Sequence, residues 1–291
     1  MVLPVLAGES LGTLGRELAL YIGSLLLLVS AIIFYGGWGQ RQRSMRVDDT
    51  PLSDIGDIRS AGDVHIRGKI VPYADHDTFV SPIRGDERCV LSAWEIEEKY
   101  AKWEKSAWGI HAVPFYVTDG REKLLVDIAD EVVSSETGEV FTPESTFVSR
   151  GVSIEGIQCE FEEFNVHVET DTDESPPRRV AEFVENTEGI SLKYMAGTLG
   201  EAVADESERK YLEQTLQPGD EISLIGHAAP RRDDPRSAMH PEEFVVTQVD
   251  RTTLYLSERP FDEVATGGAD MLLGALLAII GVGLLSTLFL F

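Results

Sequence analysis

Six histidines (His65, His76, His111, His167, His227 and His240), two cysteines (Cys89 and Cys159) and a large excess of Asp and Glu are the residues of this 291-residue chain that could do acid–base, nucleophilic or metal chemistry. Their spacing assembles none of it. Zinc centres draw Cys and His from closely spaced pairs. The histidines here stand singly, so each reads as a strand or surface residue. Two thiols cannot build a disulfide framework or a four-thiolate metal site. RCVLSAWEIE and IQCEF place Cys89 and Cys159 in apolar, strand-like surroundings, which predicts buried free thiols. Asp119, Asp127 and Asp130 surround an Asp-Gly pair but lack the spacing of a calcium loop, so they read as turn and surface acids. The chain has no G-x-S-x-G elbow, no H-E-x-x-H, no phosphate-binding G-x-x-x-x-G-K-[ST] and no G-x-G-x-x-G. The sequence therefore assigns no catalytic, cofactor-binding or metal-ligating residue, and no cofactor.

The charge balance narrows the partners. Fifty Asp and Glu against 25 Lys and Arg give a net charge of −25. A phosphate-binding surface needs a basic footprint, so nucleic acid is not an expected partner. Only seven of the basic residues are Lys, and this acid-rich, Lys-poor balance fits a halophilic protein. Molar salt shortens the Debye length to about 3 Å and quiets the self-repulsion that such charge creates. A hydrophobic content of 43% argues for a folded core rather than disorder.

Two apolar runs frame the chain. Residues 18–40 carry no formal charge and residues 271–291 carry none either. At 1.5 Å per residue either run has the roughly 30 Å that a bilayer core requires. The reading is two transmembrane helices, with an N-terminal segment (1–17) before the first. Gly274, Gly281 and Gly283 offer close packing between the helices or in a homo-oligomer. Arg41, Arg43 and Arg46 after the first run, and Arg251 and Arg259 before the second, place the central part in the cytoplasm of a multi-pass cell-membrane protein.

Between these runs the pattern is that of strands. After a polar connector (41–61), VHIRGKI (64–70) and CVLSAWEIEEKY (89–100) alternate apolar and polar residues. HAVPFYV (111–117) and EKLLVDI (122–128) flank Asp119-Gly120, a strong hairpin signal. Alternation from Val152 to Ile157 continues through Cys159 and Phe161, and a one-residue slip at Glu162-Glu163 reads as a bulge. ETDTDESPPRR (169–179) reads as a charged loop. Asp205 and Glu208 resemble a capping box, and with Tyr211, Leu212 and Leu216 on one face they predict a helix over 205–217, stopped by Pro218-Gly219. GDEISLIGHA (219–228), EFVVTQV (243–249) and TTLYL (252–256) predict further strands. GDVHIRGKI (62–70) and GDEISLIGHA share Gly-Asp, an alternating run and a later Gly, as in strands that coil round a small barrel of the oligonucleotide/oligosaccharide-binding (OB) type. The predicted fold class is a membrane-anchored, mainly β protein: two transmembrane helices flanking an antiparallel, barrel-like β domain (62–265) with a short helix.

SPIRGDERCVLSAWEIEEKY (81–100) and VPFYVTDGREKLLVDI (113–128) resemble the GIDE, or beside-a-membrane (BAM), domain of MULAN/MAPL-type E3 ubiquitin ligases. VHIRGKIVP (64–72), ERKYLEQTLQPGDEISLIGHA (208–228) and YLSERPFDEVA (255–265) extend the resemblance over most of residues 60–290. It implies a membrane-proximal domain between two helices. In that family a RING finger follows the second helix, and the domain faces the mitochondrial intermembrane space, opposite to the placement that the arginines favour. A RING needs about eight Cys and His ligands, which two cysteines cannot supply. The expected function is therefore a non-catalytic binding or scaffold module that recruits a protein partner or senses envelope state, with the lipid bilayer as its other partner. The alternative is a component of a ubiquitin-like or protein-quality pathway whose RING sits on another chain. A hydrolase whose site forms only in three dimensions is a third reading, and it requires a polar-lined pocket.

Overall fold

The computed structural model describes residues 18, 20–33, 49–74, 77–99, 101–128, 131–135, 150–172, 174–190, 207–231, 240–247, 253–261 and 268–290. His76, Asp130 and Asp205 lie outside them. The chain divides into two compact units, Val47–Val264 and a unit formed by Met1–Arg46 with Ala265–Phe291.

In the larger unit, strands β1 (Gly62–Pro72), β6 (Phe115–Thr118), β7 (Lys123–Asp127), β13 (Glu221–Pro230) and β14 (Phe244–Thr247) close a ring in the order β1-β6-β7-β14-β13-β1. All contacts round the ring are antiparallel except β7 with β14, which is parallel. In chain order this is 1-2-3-5-4-1, the closed five-stranded arrangement of an OB-type barrel. From β13 the sheet runs on through β15 (Leu254–Ser257) and β10 (Ile157–Glu160) to β9 (Gly151–Ile154). The β10–β15 contact is also parallel, so the expectation of a purely antiparallel domain is corrected. Both parallel pairs join strands separated by long stretches of chain, which a hairpin cannot connect.

A second sheet interrupts the barrel. It has the order β11 (Asn165–Thr170), β12 (Arg209–Leu216), β4 (Leu91–Lys99), β5 (Trp103–Ala112) and β8 (Glu131–Ser135). A short ribbon of β2 (Phe79–Val80) with β3 (Arg88–Cys89) precedes it. Helix α2 (Arg178–Asn186) lays Val180, Phe183 and Val184 on this sheet against Ile83, Trp94, Ile96, Ala107 and Tyr211. Phe183 meets Trp94 edge to face at 5.1 Å. Each fully buried side chain of this kind stabilises the fold by about 1.5–3 kcal/mol. The charged stretch 169–179 is thus only partly a loop, since it ends β11 and begins α2.

The barrel core contains Ile66, Ile70, Phe115, Val117, Leu124, Val126, Leu224, Phe244 and Val246. Ile55 and Ile58 join it from the segment before β1, where Ile55–Asp57 form one turn of 3-10 helix. The two Gly-Asp segments that look alike, β1 and β13, are neighbours in the ring, paired from Gly62↔Ala228 to Lys69↔Glu221. Their later glycines mark the places where each strand changes partner. Beyond Gly68, β1 takes up β6, and a Cβ at Gly68 would lie 2.4 Å from the Thr118 carbonyl oxygen. At Gly226, β13 passes from β15 to β14, and a Cβ there would lie 2.7 Å from Val246 Cγ1. No other residue type fits such close approaches. At one end of the barrel, Lys123, Tyr116, Tyr73 and Arg231 layer cation on ring on ring on cation: Lys123 lies 4.5 Å from the Tyr116 centroid, the rings stack at 5.5 Å, and Arg231 donates to the Tyr73 hydroxyl at 3.1 Å. Offset stacking and cation–π attraction thereby tie four strand ends together.

The Asp119-Gly120 hairpin forms between β6 and β7 as its turn chemistry predicts. Asp119 Oδ1 accepts from the backbone N–H groups of Arg121 and Glu122, and Gly120 takes φ +92°. Three local readings are corrected. Residues 209–216 are strand β12, not part of a helix, with burial alternating strictly from Arg209 to Thr215 between β11 and β4. The alternation from Val152 to Ile157 is not one strand, because Glu155 and Gly156, at φ +45° and +81°, turn it into the β9–β10 hairpin. The bulge lies between Val166 and Val168 in β11, three to six residues beyond the predicted slip.

The expectation of two transmembrane helices is also corrected. No helix among the described residues is long and apolar enough to cross a membrane. In the smaller unit, helix α1 is described over residues 20–33. Helix α3 spans Gly268–Leu290, and its described side chains fall within 273–286. The two helices pack through glycine. A Cβ at Gly23 would come within 2.8 Å of Leu285, and one at Gly281 within 3.1 Å of the Gly23 carbonyl oxygen. Gly283 faces open space. Leu25, Leu28 and Ile32 of α1, with Leu276, Ile279 and Val282 of α3, are exposed.

Candidate functional site

The described histidines are each tied to structure and do not converge. His65 Nδ1 bonds the Thr50 carbonyl at 3.1 Å, and its ring meets Phe261 at 5.5 Å. His111 packs edge-on against Phe79 at 4.3 Å. His167 Nε2 donates to the Glu213 carbonyl at 2.8 Å, and His227 Nδ1 lies 2.9 Å from Asp63 Oδ1. His240 opens a 3-10 turn, where its backbone N–H donates to Glu243 Oε2 at 3.1 Å. Asp119 is held below the usual carboxylate range by the two turn N–H groups that it accepts. Both thiols are free and buried, as their apolar contexts predict. Burial raises Cys159 to about 12, and burial together with the Glu213 and Glu87 carboxylates raises Cys89 to about 12. Neither is a nucleophile at neutral pH, because the thiolate is the reactive form. Among the described residues no group of three or more His, Cys, Asp and Glu is placed to hold a metal ion.

The site that the fold does build is a polar cleft of about 590 Å³ in the larger unit. Glu162 and Glu163 come from the β10–β11 connection, Asn165 and His167 from β11, and Gln214 from β12. Glu221 opens β13 and Asp220 immediately precedes it, Glu258 comes from just beyond β15, and Arg84 from the turn between β2 and β3. Residue spacing marks three of these, Glu162 and Glu163 as a bulge and His167 as a lone strand residue, and none of them as part of a site. The lining gathers five carboxylates and one Arg. Arg84 is itself paired with Glu87, and Glu221 with Arg67 at 2.7 Å.

A buried carboxylate fixes the wall. Glu213 is fully buried, with Oε2 accepting from Ser81 Oγ (2.6 Å), Ile83 N (3.2 Å) and Arg84 N (2.8 Å), and Oε1 from Ser92 Oγ (2.5 Å). Arg84 is therefore positioned through its backbone. Glu87 completes the support, accepting from Thr215 Oγ1 at 3.1 Å and Gln217 Nε2 at 2.6 Å.

Glu258 is the cleft acid whose pKa is displaced. Burial raises it above its ordinary value of 4.5, while hydrogen bonds from Glu162 N (2.9 Å) and Gln214 Nε2 (3.2 Å) pull the other way. Both oxygens are engaged in holding the loop at Glu162 to the sheet, which makes Glu258 a clamp. Ionisation is harder in the fold than in the unfolded chain, so stability should be greatest below pH 4.5 as far as this group is concerned, and fall as pH rises through the folded pKa. The Glu258→Gln variant should lose less stability than the parent across that window in melts from pH 4 to pH 7, and identical pH profiles would refute the assignment.

The polar pocket that a hydrolase would need thus exists, and Glu258 in it is occupied as a structural acceptor. Comparison with known protein families, with characterised proteins and with solved structures finds no match to this chain.

Proposed function

We propose that the chain is a binding or scaffold module without catalytic chemistry of its own, which receives a protein partner at the cleft-lined edge of its second sheet. The observation that carries this reading is the position of β11. It is the outermost strand of that sheet, it bonds to β12 on one side, and no described strand pairs with its other side. An outer strand presents a row of backbone N–H and C=O groups, the template that strand-adding partners use. Asn165 and His167 of this strand line the acidic cleft, so backbone pairing and charge recognition adjoin. The segments similar to GIDE domains support a membrane-proximal role. The exposed apolar side chains of α1 and α3 support contact with a lipid bilayer as the second partner. That contact is proposed as association with the bilayer, not as a crossing of it.

The test is site-specific crosslinking with the full chain in its own cells. A photoreactive residue at Val166, 42% exposed on β11, should yield a discrete protein adduct. The same probe at Tyr73, 42% exposed on the barrel, should not. Absence of an adduct at Val166, or the same adduct from both positions, would overturn the reading.

A further inference from the structure

Resting on that reading, we propose that the partner is an extended segment bearing Lys or Arg at alternate positions, which adds to the outer edge of β11 as a strand and sets its cationic side chains in the acidic cleft. Three independent features point there. The edge supplies backbone groups that no described strand bonds, and a partner with a backbone of its own can pair with them. The cleft supplies charge: Glu162, Glu163 and Asp220 stand on it without a Lys or Arg at ion-pair distance among the described residues, while its one Arg is engaged by Glu87. The strand supplies periodicity. Asn165 and His167, two apart, line the cleft, and Val166 between them is exposed. Successive side chains of an added strand alternate between faces, with roughly 6.6 Å between residues on the same face. A segment that alternates cationic and apolar residues therefore matches carboxylates on one face and Val166 on the other. The bulge between Val166 and Val168 breaks the flat edge, which discourages indiscriminate pairing and leaves selection to charge.

A nine-residue peptide of alternating lysine and valine, added to the full chain in detergent at about physiological salt and followed by fluorescence anisotropy, tests this. Binding is expected, and it should weaken about tenfold in Glu162→Gln/Glu163→Gln, the effect of losing two exposed charge pairs. Glu162 and Glu163 are exposed, so the variant keeps its fold, which circular dichroism checks. The control Glu185→Gln/Glu188→Gln, equal in charge but outside the cleft lining, should bind like the parent. A peptide N-methylated on the amides that face β11 should lose binding, and so should one with glutamate in place of lysine. Equal weakening in both charge variants would show a diffuse field rather than a site. Undiminished binding of the N-methylated peptide would remove the strand pairing, and no binding at all would remove the basic segment. If crosslinks form at Val166 while the basic peptide fails, this inference falls and the binding-module reading stands. If both fail, the reading falls too.

Discussion

Glu213→Ala should lower the unfolding free energy by about 3–5 kcal/mol, a loss normally reserved for broken buried ionic contacts. The reason is the number of donors that this one carboxylate satisfies. Truncation leaves the hydroxyls of Ser81 and Ser92 and the amides of Ile83 and Arg84 without their acceptor in a region where Ser81, Ile83 and Ser92 are fully buried. Glu213→Gln should cost about half as much. Its amide oxygen can stay with the three donors on the Oε2 side, and its NH₂ then faces Ser92, whose hydroxyl can turn and accept. Urea titrations of the three proteins measure the effect, and an alanine variant within about 1 kcal/mol of the parent would refute it. The same truncation frees the Arg84 backbone, so peptide affinity at the cleft should fall with stability.

The second large effect concerns Glu98 and Arg209, which face one another across β4 and β12. Arg209 Nε lies 2.9 Å from Glu98 Oε1, the side chains are 3% and 0% exposed, and the Ser106 hydroxyl donates to the other Glu98 oxygen. Removing either ion alone leaves the other buried with its chief countercharge gone, at an expected cost of about 3–5 kcal/mol. Glu98→Leu/Arg209→Met should cost markedly less than the two single losses combined, because two apolar side chains take the place of two desolvated charges. A double-mutant cycle in denaturant decides it. Additive losses would show that the ions do not act as a pair.

This pair also explains why β12 is hidden in the sequence. Its inward face is Arg209, Tyr211, Glu213 and Thr215, a period-2 pattern whose buried members are mostly polar, while Tyr211, Leu212 and Leu216 suggest a helical stripe. Hydropathy cannot reveal a strand whose interior is charged. It is the partners on β4 and in the 81–84 turn, more than 100 residues away, that make such an interior tolerable. The Asp119-Gly120 hairpin is legible because its chemistry is local: the turn residues themselves supply the acceptor and the positive φ. The turn at Glu155-Gly156 passes unseen because apolar residues on both sides keep the alternation going through it. Helix α2 is announced only by Val180, Phe183 and Val184 after Pro177, a signal shorter than the charged run that precedes it. The barrel is legible as strands and as a recurring glycine, and its closure is not, because pairing of β1 with β13 is a relation between distant segments. The cleft is the least legible part, since its nine lining residues come from five separate stretches of chain.

That closure also governs when the barrel can exist. Gly62 and Ala228, paired in the ring, stand 166 positions apart, and the whole second sheet is threaded between them. On a chain emerging from the ribosome, β1, β6 and β7 are complete long before β13 and β14 are made. Until then they form an open meander with two bare edges. Contacts of such long sequence separation slow folding, and unpaired edges are the surfaces through which nascent chains aggregate. The ring can therefore close only once residues 221–247 have been made, and a chain released before Thr247 would carry an unfinished barrel.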